Sequence, residues 1–235
     1  MNSGAVDPVG EVCEAAHRHG AWVHVDGAFG MWAAASPRLR PLVEGVERAD
    51  SWATDAHKWL NVPYDSGLVF CAHPAAHRAA MGTTAGYLVH GAGDERDALD
   101  YNPDHSRRAR GFPVYAALRA LGRQGVAELV DRCCALARRF GERLAAAGGV
   151  EVLNDVVLNQ VLVRFLAPNG DHDAHTRTVV ERVQRDGTCW MSGTTWHGQA
   201  AMRISVSNWS TDEADVDRSV AAILRCARPA GRDAG

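Results

Sequence analysis

The chain has 235 residues, 46% hydrophobic and 23% charged, with a net charge of −3. Such a composition belongs to one large or two small globular units and excludes a disordered or fibrous chain. A sequence pI near 6.4 leaves no basic surplus for a phosphate backbone, so no nucleic-acid partner is expected. No apolar run approaches the roughly eighteen residues of a membrane span, and MNSGAVDPVGEV lacks the basic and apolar regions of a signal peptide. The reading is therefore a cytoplasmic protein with no membrane partner. The six cysteines include no CxxC pair or metal-ligand spacing and read as reduced, mostly buried thiols.

In chain order, Asp7-Pro8 predicts a helix start, with Asp7 as cap and Pro8 at the first helical position. Val9, Val12, Ala15 and Ala16 follow helical spacing, and Gly20 supplies the stop. AWVHVD (21–26) reads as a buried strand, ADSWATD (49–55) as a second and GLVFCA (67–72) as a third. Residues 85–110 are rich in Gly, Asp, Asn and Pro, and such a long irregular segment is functional or mobile. A long amphipathic helix is predicted over 112–147. It is followed by a strand (160–166), a helix (174–186), a strand (201–206), a helix (212–226) and a polar tail. The alternation predicts an α/β fold with a mostly parallel sheet, followed by a smaller α+β part. The expected boundaries are 1–112, 113–228 and a disordered tail, 229–235.

Two groups of residues carry chemistry. His24-Val25-Asp26-Gly27-Ala28 ends the first strand, and Asp55-Ala56-His57-Lys58 follows the second. The carboxyl ends of parallel strands share one edge, where ligands bind. Alone, Asp26 reads as the start of a turn and Lys58 as a solvated lysine. As a pair they match the needs of pyridoxal phosphate chemistry: a lysine that holds the cofactor as an imine, and a carboxylate that keeps the pyridine nitrogen protonated. Ala28 is small enough to lie against the ring. His57 is either a hydrogen-bond donor to the phosphate or substrate, or a spacer.

HVDGAFG followed by DAHKWLNVPYDSG resembles the group II pyridoxal phosphate-dependent amino acid decarboxylases, the family of aromatic amino acid and glutamate decarboxylases. SRRARGF (106–112) and RISVSNWST (203–211) extend the similarity over nearly the whole chain. The resemblance implies fold type I, with the end of the large cofactor domain followed by the small C-terminal domain. It implies that Lys58 carries the cofactor, Asp26 pairs with the pyridinium, Ala28 lies against the ring, and His57 sits near the phosphate or the reacting carboxylate. Tyr87, in a loop after the lysine strand, becomes the acid that returns a proton to the substrate carbon. A homodimer and an L-amino acid substrate, decarboxylated to the amine and carbon dioxide, are also implied. Asp55 departs from the family's usual asparagine and receives no role. Because family members are about twice as long, the chain reads as their second half, from a truncated gene or a misplaced start codon. An aminotransferase, a carbon–sulfur lyase and an inactive fragment that keeps only an interaction surface are the rival readings.

Other features have plainer explanations. Asp171-His172-Asp173-Ala174-His175 reads as helix capping, not as metal ligands. His17 and His19 suit a helix C-terminus. Trp190, Trp196 and Trp209 read as core or interface residues. Arg107, Arg108 and Arg110 read as a solvated face, with Arg107 close to the site in the resemblance. Arg203 suits a structural ion pair or a carboxylate anchor.

Overall fold

In the computed structural model, which describes residues 2–83, 97–104 and 106–228, helix α1 runs Val9–His17. Pro8 occupies its N-cap, and neither Asp7 nor any other side chain caps it. With φ −74° and ψ 73°, the proline precedes the first turn instead of opening it, which moves Asp7 one position too far out. The apolar stripe of α1 buries Cys13 against Val23 and Ala49, with Val9, Ala16, Val25 and Trp52 packed around them. His17 turns away from the helix end: its Nε2 meets Asp50 Oδ2 at 3.0 Å, while His73 Nε2 meets Oδ1 at 2.7 Å. The Asp50 carboxyl is held well below the usual carboxylate range, first by the Val23 N–H and then by these two rings.

Strand β1 (His24–Asp26) pairs in parallel with β2 (Ser51–Asp55), which pairs antiparallel with β3 (Gly67–Cys71). The three described strands therefore form a mixed sheet, not a mostly parallel one. The 56–66 connection is too short for a parallel crossover, which needs about a dozen residues or more. Strand β1 is shorter than 21–26, and His24 and Asp26 are exposed. Among the described residues it has a neighbour on one side only, so the burial expected of an inner strand is missing. Helix α2 (Pro74–Met81) follows.

Helix α3 spans Gly111–Ala145 but breaks at Gly122, with φ 63° and ψ −177°. That backbone region is essentially glycine-only. The described chain divides into two units at this break, later than the predicted position near 112. One unit holds the described parts of Pro8–Ala34 and Arg40–Gly122; the other holds the described parts of Met1–Asp7, Ala35–Leu39 and Arg123–Gly235. In the second unit, β4 (Val150–Val152), β5 (Gln160–Phe165), β6 (Ser192–Trp196) and β7 (Gln199–Ser205) make an antiparallel sheet in the order β4-β5-β7-β6. Helices α4 (His172–Asp186) and α5 (Glu213–Ala227) complete it. Val161, Leu162, Val163 and Phe165 of β5 are fully buried, as a central strand requires.

Asp171 caps α4 by accepting the Ala174 N–H at 3.1 Å, and Asp212 and Asp215 form a reciprocal capping box on α5. Residues near the N-terminus join this unit through Asn2 Nδ2 to Thr194 Oγ1 (3.2 Å) and Asn154 Nδ2 to the Ser3 carbonyl (3.0 Å). Trp190 and Trp209 are exposed on the segments flanking β6 and α5, so neither belongs to the core of this chain. Among the described residues no helix is long and apolar enough to cross a membrane.

Candidate active site

The parallel pairing of β1 and β2 puts their carboxyl ends at one sheet edge. Asp26 is registered with Ala53, and registered neighbours point to the same face. Asp55, two residues further along β2, points to that face as well, because strand side chains alternate. Ordinary strand spacing puts Asp26 and Asp55 about 8 Å apart. One Asp26 oxygen accepts the Ala28 N–H at 3.3 Å, closing the turn through Gly27. A Cβ on Gly27 would lie 2.0 Å from Met31 Cγ, so the residue after the aspartate has room only for hydrogen. The Ala28 carbonyl in turn accepts the Asp55 N–H at 3.3 Å, which ties the two strand ends together.

Beyond Asp55 the chain makes a closed loop. The N–H groups of Ala56 and His57 both donate to the Ser66 carbonyl, at 2.9 and 3.2 Å. Trp59 and Leu60 are buried and anchor the loop. Asn61 adopts φ 57°, a left-handed conformation that asparagine tolerates. Lys58 precedes this buried pair and points out of it. Its Nζ lies 2.7 Å from Asp55 Oδ2 and 5.4 Å from the Phe29 ring centroid. Lys58 thus stands at the strand ends on the Asp26 face, through a carboxylate to which the sequence reading gave no role.

His57 sits in the same loop, 3.8 Å from Asp55 Oδ2 through Nε2, with the Tyr64 ring tilted against it, centroids 4.1 Å apart. Its Nδ1 is within hydrogen-bond range of both the Ser66 carbonyl (2.9 Å) and the Ser66 N–H (3.0 Å). Two backbone N–H groups already occupy that carbonyl's lone pairs. In the neutral ring, Nδ1 therefore accepts the Ser66 N–H and the proton resides on Nε2, facing Asp55. This tautomer is inferred from the hydrogen-bond network.

The structure brings Asp26, Ala28, His57 and Lys58 to one edge; Tyr87 lies outside the described residues. Arg107 pairs with Asn102 Oδ1 at 2.5 Å, away from this loop, whereas Arg108 and Arg110 both reach it at Tyr64 and Asp65. The sequence clue to that contact was the run of arginines, which named no partner. Among the described residues Arg203 forms no ion pair: its β7 position is registered with Leu162 and Ser192, neither of them charged, and its buried Nε has no hydrogen-bond partner. The acids and histidines at the start of α4 are committed locally: Asp173 pairs with Arg164 at 2.8 Å, and His172 Nδ1 accepts the Ala167 N–H at 2.9 Å.

A pyridoxal phosphate group needs a reachable lysine amine and a carboxylate on one wall. Lys58, 28% exposed, and the exposed Asp26 fit that requirement. Comparison with known proteins points the same way. Residues 1–166 match the family model described as the pyridoxal-dependent decarboxylase conserved domain. The chain is 28% identical over 244 residues to tyrosine/DOPA decarboxylase 2 of Papaver somniferum, covering 92% of this chain and 46% of that protein. To the tyrosine decarboxylase of Oryza sativa it is 36% identical over 169 residues, 70% of this chain and 32% of that one. Among solved structures, Oryza sativa TDC with PLP and tryptamine superposes with a TM-score of 0.90 at 28% identity, over 96% of this chain and 48% of the other. The chain thus spans about half the length of these relatives, and it shares the fold of the pyridoxal phosphate-dependent decarboxylases. On the match over residues 1–166, the chain belongs to the pyridoxal-dependent decarboxylase family.

Proposed function

We propose that this chain supplies the lysine and aspartate walls of a pyridoxal phosphate-dependent decarboxylase that converts an aromatic L-amino acid to its amine and carbon dioxide. What supports this reading is that Asp26 and Asp55 end adjacent parallel strands and that the Lys58 amine lies 2.7 Å from Asp55. The substrate class follows the relatives, which include tyrosine/DOPA and tryptophan decarboxylases. When bound, the cofactor supplies an electron sink for the pair left behind as carbon dioxide departs. Lys58, now paired with Asp55, would hold the cofactor through its amine. The Asp26 carboxylate would pair with the ring nitrogen and favour its protonated form. Ala28 would leave room for the ring, which a larger side chain would crowd. His57 offers its Nε2 proton to an anionic group, either a phosphate or the reacting carboxylate. Tyr87 returns a proton to the substrate carbon. Two copies of the chain make the working unit, as the family resemblance implies.

Adding pyridoxal phosphate to the purified chain, reducing with borohydride and mapping the modified peptide tests the assignment. Label is expected on Lys58 and absent in Lys58→Ala. Lys58 is the only lysine of the sequence, so label confined to the N-terminal amine, or label on Lys58 that free substrate amine does not compete away, would overturn the site. Product analysis tests the reaction: an amine with carbon dioxide supports decarboxylation, and an α-keto acid favours an aminotransferase or carbon–sulfur lyase. No label and no turnover would favour the inactive-fragment reading. Sedimentation tests the dimer, for which a discrete two-chain species is expected.

A further inference from the structure

Asp65 joins two residues that hold the His57 ring. The Tyr64 ring lies tilted against it, centroids 4.1 Å apart, and Ser66 donates its N–H to Nδ1 at 3.0 Å. Asp65 itself is gripped from a segment more than forty positions away. Arg110 binds its carboxylate with two parallel bonds, Nε to Oδ1 at 2.8 Å and Nη2 to Oδ2 at 3.1 Å. Arg108 Nη2 donates to the Tyr64 carbonyl at 2.5 Å and to the Asp65 carbonyl at 3.3 Å.

We propose that Arg110 and Asp65, with Arg108 on the adjoining carbonyls, form a positioning clamp that fixes residues 64–66 and thereby sets the tautomer and orientation of His57. The role of His57 in the reaction rests on the function proposed above, but its geometry does not. An exposed ion pair on its own contributes little. A bidentate guanidinium–carboxylate pair also fixes direction, and this one sits between the two groups that hold the imidazole. The Arg108 bonds fix main chain, not side chain, so the two arginines hold the loop at Tyr64 and Asp65, the residues directly before Ser66. Lysine in place of Arg110 would keep the charge but lose the fork. A clamp needs the fork; a merely solubilising charge does not.

Long-range nitrogen-15 spectra of the histidine rings in the full chain test this, recorded at alkaline pH and assigned with His57→Gln. Wild type is expected to show one His57 species, with Nε2 protonated and Nδ1 accepting. In Asp65→Asn and in Arg110→Lys the ratio of Nε2–H to Nδ1–H tautomer should fall about fivefold, and the double variant should be no worse than either single one, because coupled partners are not additive. Asp65 is exposed and the asparagine is isosteric, so folding is retained, and circular dichroism verifies it. A purely structural role would lower the melting temperature and leave the tautomer ratio unchanged, and that result overturns the clamp. Borohydride labelling of wild type separates the two ideas. Lys58 labelling with an unmoved His57 spectrum defeats the clamp alone. A moved spectrum without Lys58 labelling defeats the functional reading alone.

Discussion

Asp65 is largely exposed, yet its carboxyl is held at about 2, first by the Arg110 hydrogen bond and next by a main-chain hydrogen bond. The folded value lies below the ordinary 3.8, so the native state binds this proton more weakly than the unfolded chain does. The stabilisation is complete above the unfolded value and is lost as pH falls through the folded one. Asp65→Asn lacks it at every pH. The difference in urea midpoint between wild type and this variant should be constant above pH 4 and close as pH approaches 2. A gap that persists unchanged to the acid limit would rule out this origin. Residues like Asp65 explain what sequence could and could not disclose about the site. Asp26 and Lys58 were legible because each stands at a strand end beside a recognisable motif. The Asp55 contact with Lys58 was hidden because Asp55 departs from the family's usual asparagine, so the resemblance assigns it no partner. The Arg110 partner lies 45 positions away, a distance no local pattern encodes.

Elements differ in legibility for a related reason. Helices α4 and α5 were readable because each buries a regular face behind an acidic N-cap, and strand β5 because its residues are buried on both faces and form an apolar run. Strand β4 has three residues and β6 reads SGTTW, with no apolar alternation, so neither announces itself. The long helix α3 was read as unbroken because one glycine inside an amphipathic pattern is ordinarily tolerated. Gly122 is not one of those. A Cβ there would meet nothing within 4 Å, so any cost of Gly122→Ala comes from the backbone angles and not from a clash. Substitution should destabilise by about 1–3 kcal/mol, read as a lower midpoint in thermal or urea unfolding. Gly111 also has open space around it and lacks a positive φ, so Gly111→Ala serves as the control and should be neutral or stabilising by up to about 1 kcal/mol. Equal effects at the two positions would show that Gly122 is not under conformational demand.

At the scale of the whole molecule, composition and exposure disagree. The residues GFPVYAALRAL of α3 before Gly122 carry a single charge, Arg119, and a helix apolar on nearly every side is ordinarily buried. Here Phe112 is 77% exposed and Tyr115 66%, and on β3 the neighbours Val69 and Phe70 are 59% and 50% exposed. Adjacent strand residues face opposite ways, so both faces of β3 are open. Large apolar side chains exposed in this way favour association, and the net charge of only −3 offers little repulsion against it. The chain should therefore bind a hydrophobic dye such as ANS in its native state. Its sedimentation should also depend on concentration, most steeply near pH 6.4. Phe112→Glu combined with Tyr115→Glu should lower both signals while leaving the circular dichroism unchanged, since neither side chain contributes to the buried core. Dye binding that survives this double substitution would move the association site to β3, where Val69→Lys becomes the decisive variant: an edge lysine blocks strand addition as well as apolar contact.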